Sequence, residues 1–393
     1  MKLLCRPCSQ ALSESPSERT ELSSAPVLNS LFVESHFLMV IKVYVVDDSA
    51  VVRQALQHML SGQPDIELIG SAPNPLIAMA AIQKNRPDVL LLDIEMPGMD
   101  GLTFLRQIMA GTPIPTVICS TLSTQGSKVA LDALAAGAVA VLGKPKLGLK
   151  QHLEDSRREM IQTLKAAALS KPRLRAASSA SRAGVARAGA GHAPVLSGVH
   201  AFAMNKPVVI GSSTGGAQAL EFMLLSLPAD APGMAITQHM PEKFTAMYAQ
   251  RLNGICAMNV REAKDGDRLE RGVVLIAPGG LHMRLRKAAG QYFVQVMDGP
   301  PVNRHKPSVD VLFKSAAECA GRDILGIILT GMGDDGARGM KALHDGGART
   351  LAQNEATCVV FGMPKEAIKL QAVDEILPLE DMAGAILKFD SRA

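Results

Sequence analysis

Two groups of residues in this chain have types and spacings that point to chemistry. The first surrounds a serine turn, Gly211-Ser212-Ser213-Thr214-Gly215-Gly216, fed by the β-branched run Val208-Val209-Ile210. At such a strand–turn–helix corner a hydroxyl stands at the end of a sheet, beside backbone N–H groups that can receive an oxyanion. Glycine on both sides lets the backbone turn sharply and lets a substrate come close. Ser213, not Ser212, is the residue flanked as G-x-S-x-G, which makes it the expected nucleophile. His239 follows the apolar run Met234–Gln238, and Asp334-Asp335 follow Ile324–Thr330. A hydroxyl, an imidazole and a carboxylate thus each fall just past an apolar run. That trio suits acyl transfer: the imidazole takes the serine proton and a buried carboxylate orients the imidazole. The residues alone leave Asp334 and Asp335 both open for the third place. Two further histidines compete for the base. His282 enters a strand and is expected to shape the pocket, whereas His305 lies in the polar loop Pro300–Ser308 and is expected to contact substrate.

The second group is acidic. Asp47-Asp48 close the first apolar run of the ordered chain, Asp93 the third, Ser120-Thr121 the fourth and Gly143-Lys144-Pro145 the fifth. Three carboxylates meeting at one sheet edge repel unless a divalent cation lies among them, and an all-oxygen set suits Mg²⁺. Lys144 then offers a point positive charge to a phosphoryl group, and Ser120 a hydroxyl that can follow it. An isolated aspartate after a strand often only starts a turn, but four matched strand ends in order are a pattern.

The elements that must position these groups alternate. Strands at Lys42–Val46, Ile66–Ser71, Val89–Asp93, Pro115–Ser120 and Val139–Leu142 interleave with helices at Pro75–Lys84, Gly101–Ala110 and Gln125–Ala136, with one through Val51–Leu56 and one from about Gln151 through Ala168. The fold class read from this is α/β, a (βα)5 unit of flavodoxin-like type over residues 41–158 with a parallel sheet between helices. Residues 205–391 predict a second doubly wound α/β unit. Its strands are the Ser213 run, Met234–Gln238, Ile324–Thr330, Thr350–Gln353 and Glu375–Pro378, with an antiparallel insertion drawn from the β-rich stretch Asn259–Met297. Functional groups of such sheets collect at the carboxyl ends of the strands.

Between the two units, residues 159–204 are dominated by Ala, Arg, Ser and Gly and are expected to form a flexible linker. Residues 1–40 are a polar leader without a signal-peptide pattern, and Met39-Val40-Ile41-Lys42 reads as a natural start. With 393 residues and 47% hydrophobic residues there is enough chain for two cores. A net charge of +4, no Trp and three Tyr give nucleic-acid binding little support. Six cysteines without a framework spacing fit a reducing, cytoplasmic compartment. No apolar run reaches the roughly 20 residues of a membrane span, so no membrane insertion is expected.

The first unit resembles the response-regulator receiver domain along essentially its whole length, with Asp93-Ile94-Glu95-Met96-Pro97-Gly98-Met99-Asp100-Gly101 as the phosphorylation signature. The resemblance implies Asp93 as phospho-acceptor, Asp47 and Asp48 with Asp93 and the Glu95 main-chain carbonyl as the Mg²⁺ site, Ser120 as the switch hydroxyl and Lys144 as the family's lysine. The second unit resembles the chemotaxis protein-glutamate methylesterases of the CheB family. Ser213-Thr214-Gly215-Gly216, Gln238-His239-Met240-Pro241, Ala277-Pro278-Gly279, Pro300–Ser308, Leu329–Gly336 and Val360-Phe361-Gly362-Met363-Pro364 carry that likeness. It places the catalytic Ser, His and Asp on Ser213, His239 and Asp335, and part of the oxyanion hole on the Met332 N–H, with Thr214 and His305 in the substrate pocket. This chain has Asp334 where related sequences have Asn.

The resemblance implies a phosphorylation-activated enzyme that hydrolyses glutamyl methyl esters on chemoreceptors and deamidates glutamines. A histidine kinase would be the phosphodonor; the esterase would need no cofactor and act as a monomer. Deleting residues 1–200 is then expected to raise basal activity. The competing class is a phospho-dependent binding module whose esterase fold is inactive or redirected.

Overall fold

The computed structural model describes residues 40–96, 100–120, 123–144, 150–170 and 206–391. The leader up to Met39, Pro97–Met99 of the signature and the linker from 171 to 205 lie outside the described residues.

The first unit runs β1 (Ile41–Val46), α1 (Ala50–Leu60), β2 (Ile66–Ala72), α2 (Pro75–Lys84), β3 (Val89–Leu92), α3 (Gly101–Ala110), β4 (Thr116–Ser120), α4 (Thr124–Ala135), β5 (Ala140–Gly143) and α5 (Lys150–Leu169). Its five strands order as β2-β1-β3-β4-β5, all parallel. Alternate side chains of each strand face opposite sides, so β1 serves two cores. Val43 and Val45 pack with α1 and α5 through Leu56, Met59, Met160 and Leu164. Tyr44 and Val46 pack with α2, α3 and α4 through Ala78, Phe104, Leu105 and Leu134. Helix α5 runs on past the expected boundary at 158. Its Met160, Leu164 and Ala167 are buried in this core, so residues 159–169 belong to the helix and not to the tether.

The second unit runs β6 (Val208–Ser212), α6 (Gly216–Leu224), β7 (Met234–Gln238), α7 (Phe244–Asn253), β8 (Asn259–Glu262), β9 (Val273–Ile276), β10 (His282–Ala288), β11 (Gln291–Met297), α8 (Val309–Ala320), β12 (Leu325–Ile328), α9 (Ala337–Asp345), β13 (Arg349–Gln353), α10 (Met363–Lys369), β14 (Glu375–Leu377) and α11 (Leu379–Asp390). Seven strands order as β14-β13-β12-β6-β7-β9-β8. The β-rich stretch therefore divides. β8 and β9 extend the main sheet in parallel, and only β10 and β11 form an antiparallel hairpin. The chain starts in the middle with β6, builds outward to β8, then returns to β12 on the other flank. That reversal puts a topological switch point between β6 and β12, where the carboxyl ends of open α/β sheets form a crevice.

Candidate active site

Strand register brings the expected residues together. Ser212 of β6 pairs with Gln238 of β7, and Gly211 with Ile328 of β12. The residues just beyond these strands, Ser213, His239 and Thr330, thus stand side by side at one sheet edge, on strands spaced about 4.8 Å apart. The Ser213 N–H donates to the Thr330 carbonyl at 3.0 Å, and the His239 N–H to the Ser212 carbonyl at 3.1 Å. Gln238 ties the corner: Ser212 Oγ donates to its Oε1 at 2.6 Å, while its Nε2 donates to the Ser213 and His239 carbonyls at 2.9 and 3.0 Å. Ser212 is fully buried in that clamp, whereas Ser213 and Thr214 are part-exposed.

The His239 side chain is only 8% exposed, and its Nε2 lies 2.8 Å from Asp335 Oδ2. An ionised carboxylate only accepts, so Nε2 carries the hydrogen and Nδ1 holds the lone pair. Nδ1 is buried and bonds to nothing among the described residues. The free lone pair of the ring is therefore on Nδ1, not Nε2. Ser213 Oγ makes no hydrogen bond to it here; such bonds often tighten only in the substrate complex.

Asp335 is built to stay ionised. Its side chain is sealed, yet it accepts from Asn303 Nδ2, Ser308 Oγ and the Val309 N–H, each at 2.7 Å, besides His239. Burial pushes its carboxyl up, but the bonds from His239, Asn303 and Ser308 together outweigh that and hold it well below the usual carboxylate range. Asp334 points elsewhere, pairing with Arg304 at 3.6 Å and Arg338 at 3.1 Å on the surface. The two adjacent aspartates are thus separated by burial.

The loop before α8 carries more than its sequence announces. Asn303 and Arg304 both have positive φ, 49° and 70°, a conformation that costs energy in residues with a side chain and collects at functional sites. Held this way, Asn303 donates to Asp335 Oδ1 at 2.7 Å and to Asp310 Oδ2 at 2.9 Å, and its carbonyl receives His305 Nδ1 at 2.7 Å. His305 in turn stacks on His239, with ring centroids 3.7 Å apart and planes 15° from parallel. Burial, then the neighbouring His239 charge, lowers the His305 pKa to about 4. His282 is buried at the start of β10. Its Nε2 bonds the Pro300 carbonyl at 3.0 Å and its Nδ1 accepts the Ser308 N–H at 3.3 Å.

Asp310 is the buttress. It is 1% exposed, and its Oδ1 accepts the Gly336 and Gly339 N–H groups at 3.1 and 2.7 Å. It thereby fixes the start of α9 behind Asp335. Asp310→Ala leaves two buried N–H groups and an amide hydrogen without an acceptor. We expect it to lower the unfolding free energy by about 3 kcal/mol in urea denaturation; a loss within 0.5 kcal/mol, on the order of an ordinary surface change, would contradict this account.

Facing Ser213 is the loop after β12. A Cβ on Gly331 would lie 2.7 Å from Ser213 Cβ and 2.3 Å from Met363 Sδ, so only glycine lets this loop come so near. The next residue, Met332, and Thr214 across from it have N–H groups that donate to no described residue. Their places match the residue after the nucleophile and a second loop, the usual sources of oxyanion donors.

The acidic group also assembles. Asp47 and Asp93 are 1% exposed, and Lys144 Nζ lies 2.9 and 2.7 Å from them. Asp48 is exposed, and one ligand oxygen from each of the three carboxylates falls within 4.8 Å of the others. The Glu95 N–H donates to Asp93 Oδ1 at 3.0 Å, and Ser120 is fully buried one strand away. Burial lowers the Lys144 pKa less than its two carboxylates raise it, so its net shift is upward. Asp93 nevertheless moves up as well, because burial and the Asp47 charge exceed what Lys144 and the Glu95 N–H offset. One ammonium is thus too little for this set. A hard divalent cation fits the remaining charge and the all-oxygen donors.

The two units touch at the serine corner. The Gly215 N–H reaches the Val139 carbonyl at 3.4 Å, and Gln218 Nε2 donates to the carbonyls of Ala138 at 2.6 Å and Leu134 at 3.2 Å. Arg251 bridges Asp132 of α4 and Glu221 of α6, each at 3.4 Å. Gly215 has φ +79°, and Val359, which a Cβ there would strike, packs against the first unit's core.

Comparison with known proteins agrees with this division. The CheB methylesterase family model matches residues 208–386, and the response regulator receiver domain model residues 43–154. Protein-glutamate methylesterase/protein-glutamine glutaminase 2 of Dechloromonas aromatica is 54% identical over 352 residues, 89% of this chain and 98% of that protein. The corresponding protein 1 of Chromobacterium violaceum is 51% identical over 358 residues, 88% of this chain and 98% of that protein. The solved Thermotoga maritima CheB methylesterase catalytic domain covers 47% of this chain and 98% of that one at 37% identity, with a TM-score of 0.46. On relatives that span nearly their whole length with it, the chain belongs to the CheB methylesterase family, with a response-regulator receiver ahead of the esterase domain.

Proposed function

We propose that this chain is a phosphorylation-activated protein-glutamate methylesterase and protein-glutamine glutaminase of the cytoplasm, monomeric, with chemoreceptors as substrates and a histidine kinase as phosphodonor. The observation that carries the reading is the His239 tautomer: Asp335 fixes hydrogen on Nε2, which leaves the lone pair on a buried, unpartnered Nδ1. His239 Nδ1 takes the Ser213 proton as Oγ attacks the side-chain carbonyl. Asp335 steadies the imidazolium that forms, and the Thr214 and Met332 N–H groups receive the oxyanion. The proton passes to the leaving methoxide, methanol departs, and water frees the acyl-serine by the same steps in reverse.

In the receiver, Asp93 is the phosphoryl acceptor, Asp47, Asp48, Asp93 and the Glu95 carbonyl would hold Mg²⁺, and Lys144 and Ser120 face the phosphoryl group. When bound, the cation neutralises charge on the phosphoryl oxygens and the carboxylates. Lys144 supplies the second positive charge and holds Asp93 for attack. The contacts of Gln218 and Gly215 with the 134–139 segment favour a closed arrangement, and phosphorylation shifts the population away from it.

The experiment is methanol release from methylated receptor membranes, with and without acetyl phosphate. We expect slow release that acetyl phosphate raises several-fold; no release in either condition would favour the binding-module alternative.

A further inference from the structure

We propose that Arg304 and Arg338 form a carboxylate-binding rim beside the esterase site. The rim docks a free glutamate of the receptor segment next to the residue being hydrolysed, and Asp334 is the internal carboxylate that this glutamate displaces. The inference rests on the receptor substrate proposed above and names a second group by which that substrate is held.

Neighbours in the chain place the rim. Arg304 lies between Asn303, which donates to Asp335 Oδ1 at 2.7 Å, and His305, whose ring stacks on His239. Asp334 directly precedes Asp335, and Arg338 stands one helical turn after Asp334, at the start of α9. Consecutive Cα atoms are about 3.8 Å apart. Arg304 and Asp334 therefore leave the backbone one residue from groups of the triad network, and Arg338 meets Asp334 from the adjoining turn. All three open to solvent: the side chains of Arg304, Arg338 and Asp334 are 60%, 61% and 39% exposed. This edge of the site is free to meet a substrate as large as a protein.

The charges of the rim do not balance. Two guanidinium groups share one carboxylate. Arg338 Nη2 donates to Asp334 Oδ2 at 3.1 Å, while Arg304 Nη2 lies 3.6 Å from Oδ1, beyond hydrogen-bond distance. Arg304 donates to no described residue, so its backbone, at φ 70°, is not offset by a bond of its own side chain. The backbone of Asn303 is, through Asp335 and Asp310. Lys306, the other formal cation of this loop, pairs with Asp298. Exposed pairs like those of Asp334 contribute little, so exchanging Asp334 for another carboxylate costs little. A substrate carboxylate gains more, because docking excludes water and a guanidinium holds a carboxylate by two parallel bonds. The proposed reaction itself makes such groups, since each turnover leaves a glutamate. On a helical segment, side chains one turn apart lie about 5–6 Å from each other. A position already hydrolysed thus helps to hold an unreacted one in the site.

The test is methanol release by the full-length protein under acetyl phosphate, with kcat and KM read from initial rates against methylated receptor membranes. Arg304→Gln combined with Arg338→Gln is expected to raise KM about tenfold, the scale of one hydrogen bond to a charged group. The change falls on KM and not on kcat. Asp334→Asn, which removes the competing carboxylate and keeps its shape, is expected to lower KM about threefold, the scale of an exposed ion pair. The opposite signs separate docking from scaffolding, because a cluster that only held the loop would lose activity from either side. A KM within about twofold of the parent in the double variant, or an unmoved or raised KM in Asp334→Asn, overturns the proposal. Should the double variant fail to fold, the receptor decides. Replacing the free glutamates nearest the ester by alanine should raise the parental KM about tenfold, and Asp334→Asn should have no advantage on that receptor. An unchanged parental KM there overturns the proposal. A parent protein that releases no methanol would defeat the functional reading itself, a result distinct from release with an unmoved KM.

Discussion

Ser213→Ala lowers methanol and ammonia release together by about 10⁴-fold or more, since removing one member of a catalytic unit costs nearly as much as removing all of it. The size of the effect follows from what stays behind. Oxyanion donors at Thr214 and Met332 and the bound substrate remain, but no group can form the acyl intermediate, and the Nδ1 lone pair of His239 has no hydroxyl to act on. Ser212→Ala separates position from chemistry. Its hydroxyl is buried and donates to Gln238, so its loss unpins the clamp on Ser213 and His239 without removing the nucleophile. A moderate fall of about tenfold is expected there, the scale of one buried hydrogen bond. Both rates come from methanol release at saturating methylated receptor. If Ser213→Ala keeps more than a hundredth of the parental rate, on the order of what bare positioning supplies, Ser213 is not the nucleophile.

The second large effect is release of the receiver. Gln218→Glu is nearly isosteric, yet it sets a carboxylate oxygen against the Ala138 and Leu134 carbonyls, at the negative end of α4. The existing contact is already imperfect, because Gln218 Oε1 is buried without a partner. An unpaired buried acceptor costs about 1–3 kcal/mol, comparable to what the two donated bonds return. The net contribution of the Gln218 contact is therefore small. We expect Gln218→Glu to raise unphosphorylated activity at least about tenfold, the effect of a shift near 1.4 kcal/mol, while activity under acetyl phosphate stays parental. An unchanged basal rate with full stimulation would show that this contact does not restrain the enzyme. Arg251→Ala should do much less, since Arg251 and Asp132 are 29% and 43% exposed and such pairs contribute little.

Much of this was legible in the sequence for one physical reason. Parallel sheets place chemistry at strand ends, and apolar runs mark those ends sharply. Asp47, Asp93, Lys144, Ser213 and His239 each stand one step past such a run, Ser120 ends one, and Asp335 lies in the loop that follows one. Residues whose work depends on tertiary placement were not legible. Gln238 reads as the polar end of a strand, and only the register with Ser212 reveals the clamp. Asp310 reads as an ordinary first-turn helix residue, and Asn303 as a loop residue. Which nitrogen of His239 serves as base depends on the direction from which Asp335 approaches. That β8 pairs with β9 in parallel is not legible for a related reason. Both are four residues long, and a short strand bears no mark of whether its neighbour runs parallel or antiparallel.

The shared amide of Asn303 has a consequence for ionic strength. Asp335 and Asp310, both about 1% exposed, accept mostly from N–H and O–H dipoles, and the half-exposed Lys314 pairs with Asp310. Dissolved ions screen charges that they can approach and leave sealed dipoles alone. Salt therefore has little purchase on the proton relay. Its influence falls on partly exposed pairs such as the Arg251 bridge, and because such pairs contribute little, ionic strength is expected to change the activity at saturating substrate only slightly.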